Sequence, residues 1–158
     1  MKVTYSDLKN KRVFISGGGS GIGATIVEYF CEQKSEVYFI DIDLKSSNKL
    51  IKKIKKKGFR VPKFIECNIL NVKKLQNIIK DIISKKGAIH CLINSAANDD
   101  RHTTEQVDEK YWENRMGINL KHYFFAAQAV VKGMKKIKSG SIVNLSSVSW
   151  VLGEGDKV

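Results

Sequence analysis

Two rhythms of apolar and polar positions alternate along the chain. Short runs rich in β-branched and aromatic residues are apolar at nearly every position: Lys11 to Ser16, Glu36 to Ile40 (ending at Asp41), Pro62 to Glu66, Ala88 to Ile93 and Ser141 to Leu145. Between them lie longer stretches in which apolar residues recur every three or four positions. One spans Ile22 to Gln33 (Ile22, Ile26, Val27, Phe30). A lysine-rich stretch runs to Gly58. A third covers Val72 to Lys86 (Leu75, Ile78, Ile79, Ile82, Ile83), and a long one runs from about Asp108 to Lys138. The first rhythm predicts strands buried on both faces, and the second predicts amphipathic helices. Strands separated by helices form a parallel sheet, and right-handed crossovers wind it on both faces. The expected fold is therefore α/β: a doubly wound parallel sheet of the Rossmann type with about five strands. Residues 1–158 are expected to form a single domain, with no internal linker, repeat or low-complexity tail.

Between the first strand and the first helix stands Ser16-Gly17-Gly18-Gly19-Ser20-Gly21-Ile22-Gly23. Glycine serves two needs there. The turn requires backbone angles that a Cβ disfavours, and the backbone must approach a pyrophosphate closely. The helix start adds free N–H groups and the positive end of a dipole. Two registers fit: Gly17, Gly21 and Gly23, or Gly19, Gly21 and Ala24. No Gly-Lys-Ser/Thr follows, which excludes a P-loop. Asp41 ends the second strand, where a carboxylate accepts hydrogen bonds from ribose hydroxyls and repels a 2′-phosphate. Asp43 is the better candidate for capping the next helix.

With these residues in place, the whole chain resembles the short-chain dehydrogenase/reductase family. The resemblance implies cofactor contacts from Gly17, Ser20, Gly21, Ile22, Gly23, Asp41, Asn68, Ile69, Asn94 and Ala96. Ser16 replaces the threonine usual before the motif, and Ser20 stands where NADP-using relatives often carry a base. Ser20 and Asp41 together imply NAD, with NADP less favoured. Asn68 replaces an adenine-contacting aspartate, and Asn94-Ser95-Ala96-Ala97 matches Asn-Asn-Ala-Gly with two substitutions. By the same resemblance Asn119 holds a proton-relay water, and an asparagine within helical sequence suits a local distortion. Ser147 matches the catalytic serine that polarises the substrate carbonyl.

The family's tyrosine and lysine, its acid/base pair, do not occur at the matching place. Tyr5 and Lys9 have Tyr-x3-Lys spacing but precede the first strand. The chain is thus expected to be truncated relative to the family, with the sheet incomplete on its C-terminal side and these residues inactive alone. The alternative is a non-catalytic dinucleotide-binding or interaction protein. The segment from Ala96 to His102, with Tyr111, Trp112, Leu120, His122, Ser149 and Trp150, looks like the sugar dehydrogenases of the family. The implied reaction is NAD-dependent hydride transfer on an alcohol or carbonyl, with a sugar as the small-molecule substrate. Members of the family form homo-oligomers.

Charge changes the picture little. The net charge is +12, carried by 24 lysines and only 4 arginines. Nucleic-acid interfaces favour the planar fork of arginine. The seven lysines between Lys45 and Lys57 lie opposite an apolar stripe of Leu50, Ile51 and Ile54, the pattern of a solvated helix face. No nucleic-acid or membrane partner is expected. Cys31, Cys67 and Cys91 are odd in number and form no CxxC pair, which fits buried thiols in a reduced, cytoplasmic protein. No metal site is expected.

Overall fold

The computed structural model describes residues 3–148. Five parallel strands are β1 (Arg12–Ser16), β2 (Glu36–Asp41), β3 (Lys63–Glu66), β4 (Cys91–Asn94) and β5 (Ser141–Asn144), in the spatial order β3-β2-β1-β4-β5. The helices are α1 (Gly21–Glu32), α2 (Leu44–Lys56), α3 (Val72–Lys86), α4 (Glu109–Met116) and α5 (His122–Ile137). The order reverses beside β1, where a doubly wound sheet opens a crevice at its carboxyl edge.

The strict alternation of a strand divides the core in two. Phe14, Tyr38, Ile40 and Leu92 face α3 and α5, against Leu75, Ile79, Ile82, Ala126 and Val130. Val13, Ile15, Val37, Phe39 and Ile93 face the other way, against Val27 and Cys31 of α1 and Leu50 and Ile54 of α2. The inner strands β1, β2 and β4 carry apolar residues on both sides because both sides are covered there. The lysine-rich helix behaves as its pattern demands: Ser47, Leu50 and Ile54 are buried and its lysines point outward. Glu28 of α1 receives both Lys53 and Lys57, latching α2 onto α1.

Local chemistry sets the element ends. Asp43 caps α2 by accepting from Ser46 N at 2.9 Å, Asn71 caps α3 through Lys74 N at 2.9 Å, and Asp108 caps α4 through Tyr111 N. The β4 ladder begins at Cys91, three residues later than the apolar run. There His90 N still donates to Arg12 O at 2.8 Å, but the Arg12 N–H turns to His90 Nδ1 at 3.0 Å and its guanidinium to Ala88 O at 2.6 Å, so the backbone pairing is only partly made before Cys91. Strand β3 begins after Pro62, which has no N–H to offer. The long helical stretch is not uniform. Gly117–Lys121 forms a π-helical turn between α4 and α5, and Asn119 sits inside it.

All four residues of β5 are exposed, and β5 is the edge of the sheet among the described residues. Cys31 and Cys67 are buried and Cys91 is half-buried; all three are free thiols. Burial pushes each thiol up, Cys31 to about 12. Among the described residues no helix is long and apolar enough to cross a membrane, and no cluster of metal-ligating side chains occurs.

Candidate dinucleotide and active site

Parallel strands carry their C-terminal ends to one edge, and the predicted site residues collect there. Ser16, Asn94 and Asn144 close β1, β4 and β5 in register with one another, and Asp41 closes β2 one residue beyond Ile40, the register partner of Ser16. The glycine loop leaves β1 as a continuation of the ladder: Gly17 N and Gly18 N both donate to Ile40 O, at 2.9 and 3.1 Å. Gly17 has φ +69°, and a Cβ there would stand 2.6 Å from Ala96 Cα. At Gly23 a Cβ would stand 1.9 Å from Gly17 O. The loop therefore folds back onto the start of α1 with no room for a side chain, so Gly17 and Gly23 carry the steric demand of the motif.

Asp41 is bound into this loop. Its Oδ2 accepts from Gly19 N at 2.8 Å and its Oδ1 from Asp43 N at 2.9 Å. The carboxylate thus fixes the loop's height above the sheet while retaining lone pairs for a ribose hydroxyl. Ser20 is the exposed N-cap residue of α1, with its side chain unused by the helix. Ile22, in the first turn of α1, is 70% exposed, and Ile42, next to Asp41, is 68% exposed. Two open apolar side chains beside a phosphate-type loop suit a ligand with flat apolar rings at each end. Ile42 was not singled out by the motif, since nothing but its exposure marks it.

Beyond β3, Asn68 is exposed and its Oδ1 accepts from Leu70 N at 2.9 Å, a local turn that orients the amide; Ile69 is buried. Asn94 is fully buried, and its Nδ2 donates to Asn144 Oδ1 at 2.8 Å. This asparagine pair ties β4 to β5, and Asn144 is a partner that the motif alone did not supply. Ala96 abuts the glycine loop, held from below by Ser16: the serine oxygen accepts from Ser95 N at 3.2 Å and Ala96 N at 3.3 Å.

The substrate side is built from the segment after β4. Both ends of the Asn119 amide bind the Asn98 backbone, N–H to Oδ1 at 2.8 Å and Nδ2 to O at 3.1 Å. The π turn swings Asn119 out to do this. Asp100 pairs with Arg115 at 2.7 Å, and this bond holds the Asp100 carboxyl below the usual range. Arg115 in turn lies over the Tyr111 ring, 4.6 Å from its centroid, and the Tyr111 hydroxyl meets His102 Nδ1 at 2.8 Å. Shallow recesses of about 240 and 330 Å³ flank this segment, the first lined by Arg101, His102, Thr103 and Gln106. Ser147 is exposed just past β5, three residues beyond Asn144 at the same edge. Ser149 and Trp150 lie outside the described residues. Tyr5 and Lys9 sit at the opposite edge: Tyr5 N donates to Gln33 Oε1, beyond the C-terminal end of α1.

A family model described as short chain dehydrogenase matches residues 11–154. The chain belongs to that family. Among curated short-chain dehydrogenases, D-xylose 1-dehydrogenase of Caulobacter vibrioides is 40% identical over 155 residues, which is 98% of this chain and 60% of that protein. The protein named "Probable galactose dehydrogenase" of Rhizobium meliloti is 39% identical over 148 residues, 94% of this chain and 58% of that one. Among solved structures, the aldohexose dehydrogenase of Thermoplasma acidophilum in ligand-free form is similar, with a TM-score of 0.78 and 28% identity. The match covers 92% of this chain and 52% of that one. A gluconate 5-dehydrogenase from Burkholderia cenocepacia, solved with NADP and tartrate, matches with a TM-score of 0.82 and 25% identity, covering 95% of this chain and 58% of that one. The chain spans about 60% of the length of these curated relatives.

Proposed function

We propose that these residues form the dinucleotide-binding part of an NAD-dependent dehydrogenase that oxidises or reduces a sugar. The observation that carries the reading is the loop in which Gly17 and Gly23 leave no space for a Cβ while Asp41 holds Gly19 N from the end of β2. A bare backbone arch above a helix start fits a pyrophosphate. Asp41 disfavours a 2′-phosphate, and Ser20 brings no compensating charge. NAD, when bound, accepts or donates the hydride.

The chain's own side chains then bind and orient. Asn68 and Ile69 border the adenine end, and Asn94 and Ala96 support the middle of the cofactor. The Ser147 hydroxyl donates a hydrogen bond to the substrate carbonyl. Asn119 holds the segment after β4 in place beside it and, by the family resemblance, serves the water relay. That segment presents Arg101 and the His102–Tyr111–Arg115 stack, polar groups suited to the hydroxyls of an aldose, the class that the names of the curated relatives carry. Within residues 1–158 no tyrosine and lysine at Tyr-x3-Lys spacing stand at this edge, so residues 1–158 alone bind without turning over. Fluorescence titration with NADH tests the reading. Saturable enhancement, unaccompanied by NADH formation when NAD is mixed with D-xylose or D-galactose, supports it. Turnover by these residues alone would assign the proton acceptor to a group within them.

A further inference from the structure

Ser16 ends β1 immediately before the glycine loop and is fully buried. Its Oγ has three neighbours: Ser95 N at 3.2 Å, Ala96 N at 3.3 Å and His122 Nε2 at 3.3 Å. Both amides are donors, and together they occupy the two lone pairs of the hydroxyl oxygen. The single hydroxyl proton is therefore directed at His122 Nε2, which must be unprotonated to accept it.

The surroundings of His122 enforce that state. The ring is fully buried in the first turn of α5 and meets Tyr123 edge-on, at 4.4 Å between centroids. Burial pushes its pKa down to about 4, with the Ile118 backbone pulling the other way. A threonine at position 16 would be held by its branched Cβ; a serine has three comparable rotamers, so an outside contact must select one. The selection matters because Ala96 packs against Gly17, where a Cβ would stand only 2.6 Å from Ala96 Cα.

We propose that His122 is a positioning residue: by accepting the Ser16 proton it holds the serine oxygen beneath the Ser95 and Ala96 amides, and so fixes Ala96 against the glycine loop. It rests on the dinucleotide reading only for its effect on cofactor affinity.

His122→Phe keeps an aromatic ring against Tyr123 and removes the acceptor. His122→Gln restores an acceptor, and Ser16→Thr in the His122→Phe background restores the rotamer lock. Amide hydrogen exchange is read at Ala96 and at the β1 and β4 strand amides, alongside NAD affinity by calorimetry. His122→Phe should speed Ala96 exchange and weaken NAD by about fivefold to tenfold, the scale of one hydrogen bond, with the strand amides unmoved. Either restoring change should recover most of both. Unchanged Ala96 exchange in His122→Phe overturns the proposal. So does a uniform rise at every amide that Ser16→Thr does not reverse, which is the behaviour of a core filler. A rescued change at Ala96 with no NAD binding by any form upholds the positioning role and removes the dinucleotide reading. Should His122→Phe fail to fold, ¹⁵N shifts of the wild-type imidazole decide the matter: a neutral ring protonated on Nδ1 supports the proposal, and protonation on Nε2 overturns it.

Discussion

Asn119 and Asn98 are joined twice, the amide of Asn119 accepting from the Asn98 N–H and donating to the Asn98 carbonyl. A side chain on a π-helical turn thereby imitates a strand partner for the loop that leaves β4. The loop carries Asp100, His102 and their partners on α4, so this one amide couples helix distortion to the shape of the substrate side. Asn119→Leu is expected to remove both bonds, with a loss of about 1–3 kcal/mol of stability and faster exchange at Asn98. The affinity for NAD should change less than twofold. A denaturant melt with exchange at Asn98 checks this; unchanged exchange would mean the loop is held by something else.

Gly23→Ala places a methyl 1.9 Å from the Gly17 carbonyl, an atom of the main chain that cannot turn aside. The loop must open to admit it. Dinucleotide binding is expected to fall by at least tenfold, with a stability loss of about 1–3 kcal/mol from overpacking. Gly58→Ala is the control: a glycine with open space around it and no part in the site, though its positive φ makes alanine strained there too. Equal loss of binding in both variants would contradict the close-approach argument.

Acid should weaken the fold through His122. Its folded pKa of about 4 lies below the ordinary 6.5, so between these values the unfolded chain binds a proton that the native chain refuses. The contribution is complete above pH 6.5 and is lost as pH falls toward 4. At about 1.4 kcal/mol per pKa unit it amounts to a few kcal/mol. The difference in unfolding free energy between wild type and His122→Phe, measured from pH 7 to pH 4, should shrink across this window. A constant difference would show that His122 does not titrate as its burial requires.

Strand β5 leaves Ile142 39% and Val143 42% exposed, and Phe124 of α5 is 66% exposed. An edge strand with apolar side chains invites pairing with another chain. Residues 1–158 alone should bind hydrophobic dye and elute larger than a monomer. Val143→Lys should shift elution toward the monomer while leaving NAD binding intact. A sharp monomer peak without dye binding in the wild type would contradict this.

Much of this architecture was legible because burial on both sheet faces makes strands continuously apolar. That pattern located all five strands and placed Ser16, Asp41 and Asn94 at one edge. The glycine spacing was legible too, but it left two registers open. The choice came from Gly17 and Gly23 meeting backbone, which no spacing reveals. Asp43 announced itself as a cap by its place before Leu44. The start of β4 at Cys91 is not legible in the apolar run, because the Arg12–His90 contact just before it joins residues 78 apart. Asn144 and the link between His122 and Ser16 were hidden for the same reason: each is a polar side chain whose partner lies far off in sequence. Asn119 is the intermediate case, its poor helix propensity marking the distortion but not the loop it holds.

The central claim is that Asp41 and the glycine loop form a site for NAD. Calorimetric titration of NAD and NADP into the protein and its Asp41→Ala variant tests it most directly. The account predicts saturable NAD binding at least tenfold tighter than NADP in the wild type, and a preference that collapses toward parity in Asp41→Ala. Tighter binding of NADP to the wild type, or no saturable binding of either nucleotide to a protein with a cooperative melt, would contradict it.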